Sequence, residues 1–88
     1  MNAMIEQAKQ FGYSEDEASN MVAQTFEGAV ALYKANNLSC LEWINRVASK
    51  GGTTEAAISK FNQLKLDNTI QEGMQSALNR SVEMSKID

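Results

Sequence analysis

The segment Val47-Ala48-Ser49-Lys50-Gly51-Gly52-Thr53-Thr54-Glu55-Ala56-Ala57-Ile58 sets two glycines and two hydroxyl residues where a helical pattern resumes. Glycine lets the backbone come close to a ligand. The first N–H groups of a helix have no acceptor inside it, and with hydroxyls beside them they suit a carboxylate or a phosphate. A Walker-type phosphate loop is excluded by order, because Lys50 precedes the glycines instead of following them. On residue types alone the same segment also reads as a plain turn with a threonine N-cap.

Little else in the chain has the makings of chemistry. It has no histidine. That rules out a histidine-based triad and leaves zinc with Cys40 and carboxylates, a poor ligand set. No catalytic residue and no metal ligand is therefore assigned. Glu15, Asp16 and Glu17 read as helix-start charge that complements the dipole. Arg80 and Glu83 read as an ion pair on one helix face. Trp43 reads as core or interface, Met1, Met4, Met21, Met74 and Met84 as core filler, and Cys40 as a small buried or half-buried apolar residue.

The elements that must position the loop are helical. Residues 2–11 form a short helix stopped at Gly12, a good C′ residue. Ser14 with Glu17 is a capping box, and a long helix follows to Ala35 with the stripe Ala18, Met21, Val22, Thr25, Ala29, Leu32 and Tyr33. Asn36-Asn37 stops it. Ser39 with Glu42 is a second capping box and opens a helix carrying Leu41, Trp43, Ile44 and Val47, to about Ala48. Thr53 or Thr54 caps the next, with Ala57, Ile58, Phe61 and Leu64. Asp67 caps the last, with Ile70, Met74, Ala77, Leu78, Ser81 and Met84. No segment alternates with the period of a strand. The fold class expected is all-α, about five helices joined by short loops in one domain over 1–88. Gly28, inside the long helix beside Ala29 and Ala31, fits the close approach of another helix.

Eighty-eight residues make a small domain, which buries only about 60% of the surface its unfolded chain exposes, so help from a partner or a second copy is expected. Hydrophobic residues are 43% of the chain, too many for a disordered segment. The net charge is −3 and the eight basic residues are scattered, so neither nucleic acid nor a membrane surface is expected as a partner. A single cysteine suits a reducing compartment, and there is no signal-peptide pattern and no membrane-spanning run, so a cytoplasmic location is expected.

Three segments resemble one family. Val47-Ala48-Ser49-Lys50-Gly51-Gly52-Thr53-Thr54 is similar to the Val-x-Ser-Pro-Gly-Gly-Thr-Thr segment of pyrroline-5-carboxylate reductases. Gln24-Thr25-Phe26-Glu27-Gly28-Ala29 matches their Gln-Thr-x-x-Gly-Ala, and Arg80-Ser81-Val82-Glu83 their Arg-Ser-x-Glu, in the same order and at fitting spacing. The resemblance spans nearly the whole chain and falls on the C-terminal helical dimerisation domain of those enzymes.

The resemblance implies a substrate-binding and dimerisation domain acting in proline biosynthesis. The full enzyme reduces 1-pyrroline-5-carboxylate to L-proline with NADPH or NADH. The cofactor is bound mainly by an N-terminal dinucleotide-binding domain that is absent here, and none is expected in this chain, so the domain alone should be inactive. It implies a homodimer of interlocked helices, with higher assemblies of dimers open. It places the substrate against Val47, Ser49, Gly51, Gly52, Thr53 and Thr54. The N–H groups around Gly51 to Thr54 hold its carboxylate, the Thr54 hydroxyl faces the ring nitrogen or the carboxylate, and Ser49 and Val47 line the pocket. Lys50 departs from the family proline. It gives up a fixed φ and adds a cation four residues after Arg46, where both could flank one anion, although a solvated lysine is the plainer reading. Two other readings stay open: a free-standing helical interaction module without catalysis, and a small-anion binder.

Overall fold

A computed structural model describes residues 1–48 and 50–86 and shows five helices with no strand among the described residues. They are α1 (Asn2–Gln10), α2 (Glu15–Ala35), α3 (Cys40–Val47), α4 (Thr53–Gln63) and α5 (Leu66–Ser85). The all-α expectation holds. The chain divides into two compact units, one running from Met1 to Trp43 and the other starting at Ile44, so the division falls inside α3.

In the first unit the chain's own punctuation sets the helix ends. The helix α1 closes in a Schellman turn: Gly12 N–H donates to the Lys9 carbonyl at 3.0 Å and Tyr13 N–H to the Ala8 carbonyl at 3.3 Å. Gly12 takes φ 107°, a conformation that side-chain-bearing residues rarely adopt. Both capping boxes form. Ser14 N–H donates to Glu17 Oε1 at 2.9 Å, and Glu17 N–H to Ser14 Oγ at 3.2 Å. Ser39 N–H donates to Glu42 Oε1 at 3.0 Å, and Glu42 N–H to Ser39 Oγ at 3.1 Å. The end of α2 is held by Asn36, whose side-chain amide donates to the Leu32 carbonyl at 2.9 Å. α1 packs on α2, where Ala18 and Val22 are the buried hydrophobic residues among the described residues.

The boxes predict an acid-sensitive term in stability. The Ser14 and Ser39 backbone N–H groups, and then their hydroxyls, hold the Glu17 and Glu42 carboxyls below their ordinary value. The folded chain therefore binds fewer protons here than the unfolded chain. The contribution is complete above the ordinary carboxylate value of 4.5 and is lost as pH falls through the lowered folded-state values. Thermal melts followed by circular dichroism should show Tm falling on acidification below that point. In Glu17→Gln/Glu42→Gln the same acid limb should be shallower; an unaltered limb would mean that other carboxylates carry it.

In the second unit α4 packs against α5. The two helices are joined by Leu64 and Lys65 alone. Lys65 turns the chain in the left-handed conformation, φ 58° and ψ 48°, and its carbonyl accepts from Thr69 N–H and Thr69 Oγ1, each at 3.1 Å. This corrects the expected Asp67 cap. The left-handed turn starts α5 before Asp67, which becomes a first-turn acid.

Burial is where the sequence expectations depart furthest from the structure. Beyond Ala18 and Val22 the long stripe of α2 is exposed, with Leu32 at 54% and Tyr33 at 52%. Every residue of α5 is exposed, including Ile70, Met74, Leu78 and Met84. In α4, Ala57 and Phe61 are exposed and Ile58 is half-buried, and Leu64 just beyond it is exposed; in α3, Leu41 and Val47 are exposed while Trp43 and Ile44 are half-buried. The five methionines read as core filler all lie at the surface, as does Cys40. The physical reason is elementary: an amphipathic pattern dictates which side of a helix is apolar, not which molecule covers it. At Gly28, the expected place for the close approach of another helix, a Cβ would meet nothing within 4 Å among the described residues.

Candidate functional site

The loop between α3 and α4 belongs to the second unit. Helix α3 closes with Ala48 N–H donating to the Ile44 carbonyl at 2.9 Å. Val47, the last residue of α3, and Lys50 in the loop are exposed. Ser49, expected in the pocket, lies outside the described residues. Gly51 then takes φ 76°, in the left-handed region that favours glycine. Gly52 returns to extended backbone, φ −88° and ψ 176°, and is the N-cap of α4. Its carbonyl accepts from Ala56 N–H at 3.2 Å.

The cap is thus Gly52 instead of Thr53 or Thr54. Having no side chain, Gly52 makes no side-chain cap bond. The turn into the helix is completed one residue earlier than the threonines, and both become first-turn residues. Thr53 is exposed and Thr54 half-buried. Their N–H groups belong to the part of a helix that lacks internal acceptors and carries the positive end of the dipole. The geometry gathers Gly51, Gly52, Thr53 and Thr54 at one helix start. Val47 lies at the end of the preceding helix.

One participant was missed in the sequence. Glu55, half-buried in the first turn of α4, accepts a hydrogen bond from Gly51 N–H on its Oε1 at 3.0 Å. The signal was present: Gly52-Thr53-Thr54-Glu55 has the same three-residue spacing to an acid as Ser14 to Glu17 and Ser39 to Glu42. With glycine at the cap, the acid reaches back past it to the residue before. The N–H of Gly51, expected to face a substrate carboxylate, is instead given to the chain's own carboxylate.

Other candidates do not join this cluster. The first unit carries an apolar groove of about 290 Å³ lined by Met4, Gln7, Ala8, Phe11, Met21, Val22 and Thr25, none of them a loop residue. Arg80 pairs with Glu83 at 2.9 Å, as the spacing predicts. Among the described residues no three His, Cys, Asp or Glu side chains gather to hold a metal, and no helix is long and apolar enough to cross a membrane.

These features define a class: an all-α domain with uncovered apolar helix faces and a diglycine turn opening one helix. The chain belongs to the pyrroline-5-carboxylate reductase dimerisation family, which it matches over residues 1–84. It is similar to the pyrroline-5-carboxylate reductases of Pasteurella multocida, at 36% identity over 88 residues, and of Vibrio alginolyticus, at 34% over 88 residues. That of Pseudomonas aeruginosa is 31% identical over 86 residues. The matches cover 99%, 99% and 98% of this chain respectively, and 32% of each relative, so the chain spans about a third of the length of the curated relatives it matches. No solved structure matches it.

Proposed function

We propose that this chain is the self-associating, substrate-holding part of a cytoplasmic reductase that converts 1-pyrroline-5-carboxylate to L-proline. The observation that carries the reading is the coincidence of two features within one family domain. One is α5, 20 residues long with none buried; the other is the glycine-opened start of α4. The first supports pairing with a second copy, because a small domain with so little buried surface gains its stability from association. A second copy is also the natural neighbour for Gly28. The second supports capture of the substrate carboxylate by the N–H groups of Gly52, Thr53 and Thr54, with charge-assisted hydrogen bonds and the helix dipole acting together. In this reading the Thr54 hydroxyl takes the ring nitrogen or the carboxylate, and Val47 and Ser49 stand at the pocket's side. Neither nucleic acid nor a membrane is a partner.

Among the described residues there is no strand, and the sequence has no Gly-x-Gly-x-x-Gly, the pattern of a strand–turn–helix cradle for a pyrophosphate. In the proposed reading NADPH or NADH is held by another domain of the full reductase, where it supplies the hydride. What this chain contributes is orientation: fixing the carboxylate fixes the imine carbon, which is catalysis by positioning. No protein base is needed, since the imine can arrive protonated or take its proton from a hydroxyl or water.

Steady-state kinetics of the full-length reductase carrying Thr54→Val test this. A lost hydrogen bond to a charged group corresponds to roughly 10- to 100-fold. The specificity constant for 1-pyrroline-5-carboxylate should fall within that range while the KM for NAD(P)H stays unchanged. Unaltered kinetics would remove Thr54 from the site. A wild-type protein without imine reductase activity would overturn the reading and turn attention to a helical interaction module.

A further inference from the structure

We infer that Glu55 is the positioning residue of the diglycine turn, a role that rests on the reading of this loop as the substrate site. The three facts that carry it are local. Gly51 stands at φ 76° and donates its N–H to Glu55 Oε1 at 3.0 Å. Gly52, the N-cap, has no side chain with which to tie the turn to the helix. Lys50, on the other side of the glycines, leaves its own φ free where a proline would fix it. Two adjacent glycines lose more conformational freedom on ordering than any other pair. Gly52 is held at its carbonyl by Ala56 N–H, and Gly51 is held at its N–H by the Glu55 carboxylate.

The arrangement has a consequence for ligand capture. The Gly51 N–H is spent on Glu55, and that bond holds the turn from which the N–H groups at the start of α4 follow. Glu55 touches no substrate atom in this scheme. It acts through the backbone, so its loss raises the cost of ordering the turn at the moment of binding. The effect belongs in KM, with kcat nearly preserved.

Two measurements test this. The first is amide hydrogen exchange of Gly51, read by NMR in the 88-residue chain. Wild type and Glu55→Gln, which keeps an acceptor oxygen, should show a protected Gly51 amide; in Glu55→Ala it should exchange about tenfold faster. The second is kinetics of the full-length reductase. Glu55→Ala should raise the KM for 1-pyrroline-5-carboxylate about tenfold, with kcat within twofold and the NAD(P)H KM unchanged. Glu55→Gln should recover most of the loss. Adding Lys50→Pro to Glu55→Ala should also recover part of it, because proline stiffens the turn from its other side. A general loss of folding would instead lower kcat and leave KM alone. An unprotected Gly51 amide in wild type, or an active reductase whose Glu55→Ala KM is unchanged, overturns the inference. If the wild-type reductase is inactive on the imine, the substrate reading fails, and the exchange data alone decide whether Glu55 holds the turn.

Discussion

Leu78→Glu is expected to dissociate the proposed dimer into monomers and to unfold much of it at concentrations where the parent chain associates. Leu78 lies in the middle of α5 and is 57% exposed within a single chain. For a true monomer the substitution would be close to neutral, because exposed helix positions tolerate glutamate well. In a symmetric pair it acts twice. Losing the burial of one leucine costs about 2 kcal/mol. Two copies lose about 4 kcal/mol, which raises the dissociation constant roughly a thousandfold. Sedimentation equilibrium across a hundredfold range of concentration, with circular dichroism on the same samples, gives the answer. A Leu78→Glu protein that stays dimeric places the pairing surface elsewhere; a parent chain that is monomeric and well folded removes the pairing proposal.

The second large effect is expected at Gly51. Adding a Cβ there meets nothing within 4 Å, so Gly51→Ala changes backbone preference without creating a clash. The left-handed conformation costs a residue with a side chain about 1–2 kcal/mol. Either the turn keeps its shape at that cost or it relaxes and gives up the bond to Glu55. In the full-length reductase a turn that keeps its shape should lower Tm by several degrees and leave KM alone, whereas a turn that relaxes should raise the KM for 1-pyrroline-5-carboxylate by up to roughly 5- to 30-fold with little change in Tm. Gly51→Asn should do less harm, because asparagine tolerates this region better than alanine. Equal effects of the two substitutions would point to the side chain rather than the backbone angle.

How much could be read beforehand depended on the range of the interactions. Ser14 with Glu17, Ser39 with Glu42, Gly12 and Asn36 act within four residues, and the helix ends they set agree with the structure to within a residue. The cap of α4 was misplaced because a glycine cap carries no side-chain signal, so the threonines after it drew the assignment. The cap of α5 was misplaced because Lys65, not a glycine or an asparagine, adopts the left-handed turn, and no propensity advertises that. The apolar stripes were legible as stripes. Their burial was not, because a stripe shows which side of a helix is apolar and not what covers it, and Ile70, Met74 and Leu78 stay exposed. At the site, the glycines and threonines declared themselves. The tie from Gly51 to Glu55 was carried only by the three-residue spacing from Gly52 to Glu55, which a glycine cap makes easy to pass over because it lacks the hydroxyl that marks the other two boxes.

The two-residue joint at Leu64 and Lys65 makes α4 a lever. That helix has 11 residues and is about 16 Å long. One end carries the diglycine turn, and the other passes almost without slack into α5. A shift of α5 as it seats against another surface is carried along a stiff rod to the place where a small anion would be held. On the proposed reading, quaternary structure and ligand grip are then linked through one helix, and loosening an assembly at α5 is expected to weaken the pocket although none of its residues has been altered.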